Sequence, residues 1–413
     1  MKKIMTQYKG LPREAYVLII GEFINSTGNF VIPFLTFILT LSLGIEPSEA
    51  GIWITIVTIL YIPGSLIGGK LADSNSRKAV IIAVLALKAL IFVICAFIGF
   101  DKLLIFLLML SMFLGAVASP SLRSLLADVS TRENRQAVYS LMYLSINLAM
   151  SISPLIAGLL YQKYPHYLFI GDAATLVIAI TLYLLFIPNK PKLRAAPISN
   201  DSKDKVEGSV YSFLSKNTAI LFMLTCMYLY YVIYSQHSFS LPIHLNTFHE
   251  NGPALFGMLM AINGFTVVLL TSVITYFTKN NSSSKNMGLS GALLGIGFGM
   301  IFIADSVTML VISTVTWTIG EILTSTNSEV FIANNTKSQF RGRVFGLFSV
   351  IKSAGLTTGP LLGGFYIGLF NVKLIWPVVF CVSIVYCLLV YFAHMKNKKM
   401  SEQNSELRSE VNG

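Results

Sequence analysis

Charge is what this sequence has least of. Of 413 residues, 30 are Lys or Arg and 19 are Asp or Glu, 12% in all, about half the ~25% of an average soluble domain. A soluble protein of this length covers its surface with polar and charged groups. A chain that is 54% hydrophobic with a mean hydropathy of +0.70 cannot do so. The scarcity excludes a soluble globular enzyme, a disordered chain and a coiled coil. Cysteine is scarce too. Cys95, Cys226, Cys381 and Cys387 lie in apolar runs with no CxxC spacing, which excludes a disulfide scaffold and favours buried structural thiols over a metal or redox site. There is no Walker A sequence, no HExxH and no Ser/His/Asp order. We therefore expect no enzyme, no ATP-driven pump, no metal and no cofactor.

What is present is long apolar runs. They fall at about 15–42, 49–69, 79–99, 103–127, 137–161, 167–188, 217–245, 254–278, 287–304, 307–332, 344–369 and 374–395. Each has the ~20 residues a spanning helix needs. A transmembrane β-barrel would instead show ~10-residue alternating segments. The expected fold class is therefore an all-α membrane protein with twelve transmembrane helices. The basic N-terminus runs into the first span with no small-residue cleavage site, so no cleavable signal peptide is expected. With the N-terminus placed inside, 24 of the 30 basic residues fall in cytoplasmic segments. Only Lys102, Lys163 and Lys373 fall in external loops, and Lys88, Arg123 and Lys352 lie within spans. This asymmetry predicts a multi-pass protein of the plasma (inner) membrane with both termini cytoplasmic. It also explains the net charge of +11 as topology, with no nucleic-acid partner.

The expected domains are a six-helix bundle over 1–188, a cytoplasmic linker over 189–216, a second six-helix bundle over 217–395 and a cytoplasmic tail over 396–413. The linker is the one long polar stretch. At an offset of 206 residues the two halves align without a gap: Arg135 meets Arg341, Pro154 meets Pro360, and Gly158 meets Gly364. A parallel repeat of six-helix units implies pseudo-two-fold symmetry and a binding site at the interface between the halves.

The loop after the second span reads Gly69-Lys-Leu-Ala-Asp73-Ser-Asn-Ser-Arg77-Lys78, and the eleventh span reads Gly355-x-x-x-Gly359-Pro360-x-x-Gly363-Gly364. The first is similar to the signature loop of the major facilitator superfamily, and the second to its antiporter motif, which in the family belongs to the fifth span. The fifth span here has Ala149-x-x-x-Ser153-Pro154-x-x-Ala157-Gly158. Over about residues 12–395 the chain thus resembles that superfamily, and among its members the proton-coupled drug and metabolite exporters. The resemblance implies two pseudo-symmetric bundles and secondary active transport by alternating access. It also implies that the loop arginine pairs with an acid at the cytoplasmic end of span four, where Asp128 stands.

Several residues stand out on their own chemistry. Gly69, Asp73, Arg77, Lys78, Asp128 and Arg135 form a candidate conformational latch, since charge pairs at an interface break when two states interconvert; solvated charges of ordinary topology are the alternative. Pro154, Gly158, Gly355, Gly359, Pro360, Gly363 and Gly364 are candidate hinges, since proline removes backbone hydrogen bonds, or else tight packing contacts. Each charge within a span costs at least ~2.5–3.5 kcal/mol and is a functional hypothesis by default. Glu22, Asn25, Ser26 and Asn29 share one face of span one, and Arg123 is a possible partner for Glu22. Glu321 and Lys352 lie at similar depth, ~16 and ~13 Å from the ends of their spans at 1.5 Å per residue, and form a possible buried pair. Glu22, Glu321, Glu329 and His237 are the candidate proton-coupling groups. Asn25, Asn29, Arg123, Tyr230, Tyr231, Tyr234, Gln236 and Lys352 are the candidate substrate-cavity residues. Asp172 and Lys88 read as interface anchors.

The expected function is a proton-coupled exporter of amphiphilic drugs or metabolites, a monomer in the lipid bilayer whose partners are protons and a small-molecule substrate. The alternatives are proton-driven uptake of a small polar solute (a sugar, peptide or organic acid) and a non-transporting membrane sensor or scaffold, which would have no need of intramembrane acids.

Overall fold

The structure is a computed structural model, and it describes residues 8–74, 76–131, 133–188, 217–336 and 338–412. All regular structure among these residues is helical. The expected linker 189–216, with Lys2 and Lys3, lies outside them.

Span one is not one continuous helix. Helix α1 (Arg13–Thr27) ends at Gly28, and the chain turns until α2 (Leu35–Phe37), which runs into one π turn, Ile38–Ser42. Pro33 supplies no N–H, and Gly28 is needed for space, because a Cβ there would overlap the Thr175 side chain. Five unbroken helices follow: α3 (Pro47–Ser74), α4 (Arg77–Ile98), α5 (Leu103–Asp128), α6 (Arg135–Lys163) and α7 (His166–Phe186). Gly99, at φ +77°, closes α4 in the left-handed region that glycine tolerates.

The second half repeats the break. Helix α8 (Thr218–Tyr234) gives way to a 3-10 turn, Ser235–His237, before α9 (Ser240–Phe248). Then come α10 (Gly252–Thr278), α11 (Ser283–Ile301), α12 (Val307–Asn335), α13 (Ser338–Leu369) and α14 (Ile375–Asn412). The Ser282 and Ser306 hydroxyls cap α11 and α12, accepting from Lys285 N at 3.4 Å and Met309 N at 3.3 Å. Among the described residues, nine helices are long and apolar enough to cross a membrane by themselves. The breaks leave α1 and α8 at 15 and 17 residues, short of the ~20 that a crossing needs.

The chain forms two compact units, one from Met1–Asn200 and Leu241–Phe265, the other from Asp201–Ser240 and Thr266–Gly413. In the first, α1 packs on α6 and α7, and α4 on α5 and α7. In the second, α8 packs on α13 and α14, and α11 on α12 and α14. These are the same pairings, shifted by the 206-residue offset. Phe97, Leu66 and Leu185 in the first unit and Leu269, Phe277 and Leu369 in the second stand 66–80% exposed, as the lipid-facing side of such a bundle requires.

One pairing is not repeated. Helix α3 reaches α5 closely because a Cβ at Gly64 would lie 2.8 Å from Phe113 O, and one at Gly68 would overlap Val117 O. At the offset these glycines become Leu270 and Ile274, and α10 and α12 leave a cavity of about 630 Å³ between them.

Glycines also hold α6 to the first half of α10. A Cβ at Gly158 would lie 2.7 Å from Pro253 O, and one at Gly257 would overlap Pro154 O. Gly158→Leu should therefore lower stability by about 3 kcal/mol or more, since no flexible side chain is there to yield. Gly69 of the candidate latch makes no such close approach, because nothing lies within 4 Å of a Cβ built on it. Gly69→Ala should be neutral or stabilising by up to ~1 kcal/mol. Thermal unfolding of the detergent-solubilised protein distinguishes the two variants.

Candidate functional site

The first unit contains a charged pocket that the break in span one creates. Where α1 stops, the amides of Phe30 and Val31 leave the helical ladder, and Phe30 N turns to Gly28 O at 2.9 Å. Asp172 of α7 accepts from both amides, with Oδ1 2.7 Å from Phe30 N and Oδ2 3.4 Å from Val31 N. Glu22 and Lys88 are half-buried beside it. The cavity they share is about 130 Å³ and is lined by Asn25, Ser26, Asn29, Phe92 and Leu176 as well. Asn25 Nδ2 lies 3.5 Å from Glu22 Oε2, and Asn29 O accepts from Ser153 Oγ at 2.8 Å. The Lys88 ammonium lies 5.4 Å from the centre of the Phe92 ring and faces Gly115 of α5.

This arrangement corrects two readings of the sequence. Asp172 and Lys88 are not interface anchors; three helices bring them to Glu22. Arg123 is not the partner of Glu22: it is exposed, and its carbonyl accepts from Tyr139 Oη at 3.1 Å. A sequence signal was available for Asp172 and Lys88, because each is a charge in an apolar span, but nothing in it told which helix each would face.

The second unit builds its site on the break in span seven. Tyr234, the last residue of α8, donates from Oη to Glu321 Oε1 of α12 at 2.9 Å. The rings of Tyr234 and Tyr230 stack at 5.8 Å, and Tyr230 meets Tyr231 edge-on at 5.0 Å. His237, in the 3-10 turn, stacks on Trp317 at 5.7 Å, and its Nδ1 lies 2.6 Å from Tyr234 O. These residues form one aromatic wall around one carboxyl.

Other expected members of this site are placed differently. Gln236 is a structural residue: it is buried, its Nε2 donates to Val232 O and Gly359 O, and its Oε1 accepts from Ser240 Oγ. Lys352 is exposed and sets its ammonium 5.2 Å from the centre of the Tyr231 ring, a cation–π contact in place of the expected pairing with Glu321. Glu329 is exposed. Gly355, Gly359 and Gly363 let α13 approach α8 and the turn after it: Cβ atoms there would meet Tyr228 O, Ser235 and Gln236 respectively. Pro154 and Pro360 lie inside α6 and α13, and Gly364 is buried. Among the cysteines, Cys95 and Cys226 are buried, but Cys381 is exposed on α14.

At the α3–α4 turn, Arg77 forms an ion pair through Nη1 with Asp128 Oδ2 at the end of α5. Lys78 is buried and donates to Leu184 O and Ile187 O, closing the C-terminal end of α7. Arg135 Nε lies 3.4 Å from Ser130 Oγ. Asp73 is exposed.

A family model for the Major Facilitator Superfamily matches residues 18–286 and 253–410. The chain belongs to this superfamily. It is a multi-pass membrane transporter of the major facilitator type. An MFS-type transporter of Bacillus subtilis, YqjV, is 24% identical over 372 residues, covering 89% of each chain. A Na(+), Li(+), K(+)/H(+) antiporter of Planococcus maritimus is 22% identical, with 84% of this chain and 88% of that one covered. Among solved structures, the peptide transporter POT in complex with sulfate superimposes with a TM-score of 0.75 at 15% identity, covering 95% of each chain. The nucleoside transporter NupG gives 0.74 at 14% identity, covering 92% of this chain and 99% of that one. At these identities the structural likeness establishes the fold of this major facilitator transporter: twelve transmembrane helices in two pseudo-symmetric six-helix bundles.

Proposed function

We propose that this protein is a proton-coupled secondary transporter that exports amphiphilic drugs or metabolites by alternating access, in exchange for protons. The observation that carries the reading is that a carboxyl lies at the break of each interrupted span, Glu22 on span one itself and Glu321 reaching from α12 to the last residue before the break in span seven. Broken helices at the centre of a transporter are where substrate and coupling ions bind, and a buried acid that gains and loses a proton changes the local charge by one. The aromatic wall of Tyr230, Tyr231 and Tyr234 suits a solute that is part apolar and part cationic. One relative carries antiport in its name, which supports exchange over co-transport. The Arg77–Asp128 pair is the latch in this reading, and Pro154 and Pro360 are the hinges. The Lys and Arg asymmetry supports a plasma-membrane protein with both termini cytoplasmic, working as a monomer.

A second reading, proton-driven uptake of a small polar solute, is favoured by the cavity between α10 and α12. Most of its lining is amides and hydroxyls, among them Thr278, Asn286, Asn327 and Asn334, with Lys279 and His394 as its ionisable members. Proteoliposomes carrying an internal pH dye separate the readings. Substrate and proton moving in opposite directions supports export, and movement together supports uptake. No coupled flux under any gradient rejects both.

A further inference from the structure

The charges in the first-unit pocket do not balance. Glu22 and Asp172 bring two carboxylates, Lys88 brings one ammonium, and no other ionisable side chain lines the cavity. With all three ionised the pocket carries one net negative charge inside the membrane span, where an uncompensated charge is least tolerable. Nor does Lys88 close on either acid. Among the described residues it makes no ion pair within 4.0 Å, and its ammonium leans towards Phe92 and Gly115 instead. Asp172 is fixed by the two amides it caps. The cavity between these groups therefore has room and charge for one more cation.

Three properties define that cation. The electrical balance calls for a single positive charge; a divalent ion would leave the pocket with one net positive charge. The volume, about 130 Å³, holds roughly four water-sized units at ~30 Å³ each, which suits a small ion with part of its hydration shell and is too small for an amphiphile. The lining residues Glu22, Asn25, Ser26 and Asn29 carry hard oxygen donors and no thiol, thioether or imidazole, a set that selects alkali and alkaline-earth ions over softer metals.

We propose that the pocket formed by Glu22, Asn25, Asn29, Lys88 and Asp172 binds one alkali-metal cation, and that Lys88 is a tethered competitor for it. When the ion leaves, the flexible four-carbon stem of Lys88 lets its ammonium swing towards Glu22 and replace the lost charge. This goes beyond proton-coupled export: it assigns the first unit a second coupling ion, separate from the carboxyl at Glu321.

The test is binding to the purified full-length protein in detergent, with no gradient and no transported solute, so its outcome is separate from that of the flux assay. Thermal unfolding midpoints are compared in NaCl, LiCl, KCl and choline chloride at equal ionic strength, since a ligand that binds the folded state raises the midpoint with its concentration. The midpoint should rise with at least one alkali salt over choline. Glu22→Gln should abolish the rise, and Lys88→Met should lower the half-saturating alkali concentration by about tenfold or more, as removal of a nearby like charge predicts. Equal midpoints in alkali and choline salts overturn the proposal. So does an alkali effect that survives Glu22→Gln, which puts the ion elsewhere, and so does a response to pH alone, which means a proton is the sole occupant. If Glu22→Gln does not fold, Lys88→Met carries the test, and an unchanged half-saturation overturns the proposal.

Discussion

Glu321→Gln should reduce pH-driven transport by two orders of magnitude or more, while solute exchange without a pH gradient continues. Tyr234 Oη and Glu321 Oε1, 2.9 Å apart, join α12 to the point where α8 stops. Glutamine keeps an oxygen that can accept this bond, so the wall of Tyr230, Tyr234 and His237 stays in place. What it removes is the ability to take and release a proton, and a carrier that cannot do so cannot be driven by a pH difference. Tyr234→Phe removes the hydrogen bond and keeps the acid. A hydrogen bond to a charged group contributes ~1.5–3 kcal/mol, so this variant should lose roughly 10- to 150-fold in coupled flux and still respond to a pH gradient. Substrate counterflow and pH-driven flux, measured on the same proteoliposomes, separate coupling from binding. Full pH-driven flux in Glu321→Gln would remove Glu321 from the proton path.

Asp172→Leu should lower stability through the break in span one. Asp172 is 3% exposed, and its two oxygens accept from the amides of Phe30 and Val31 at the break in span one. Leucine fills similar space and accepts nothing. Phe30 N keeps a second acceptor in Gly28 O at 2.9 Å, so leucine orphans one amide, Val31 N; a buried amide without an acceptor costs ~1–3 kcal/mol, a sizeable part of the roughly 5–15 kcal/mol that holds a typical domain folded. Asp172→Asn keeps one accepting oxygen and removes the charge, and it should lose no more than about half as much. The midpoint of thermal unfolding in detergent reads both. If the two variants lose equal stability, the charge of Asp172 matters and its capping of the break does not.

Legibility differed from residue to residue. The Arg77–Asp128 pair was anticipated from the resemblance of the loop Gly69–Lys78, because a short turn between two spans leaves its arginine few places to go. The role of Gly69 was not, since one position along the helix separates a glycine in open space from Gly68, which abuts Val117. Gln236 reads as a cavity residue because it is polar and lies mid-span; its bonds to Val232 and Ser240 are local, but the one to Gly359 depends on α13, more than a hundred residues away. The polar face of span one, with Pro33 beyond it, marked that span as unusual, yet a face of polar residues does not say that the helix stops. The stop became definite only when Asp172 supplied acceptors for the amides it frees.

By itself the sequence determined the number of spans, the expected orientation, the repeat at 206 residues and the presence of acids inside the membrane. These follow from hydropathy and charge, which act residue by residue and so can be summed along the chain. Only the tertiary structure decided which charges share a pocket. In a bundle whose helices are apolar on the lipid side as well as the inner side, periodicity does not reveal which face turns inward. The low charge with which the chain is built makes each buried charge consequential. Packing of α1, α4 and α7 then placed Glu22, Lys88 and Asp172 together and left Arg123 outside.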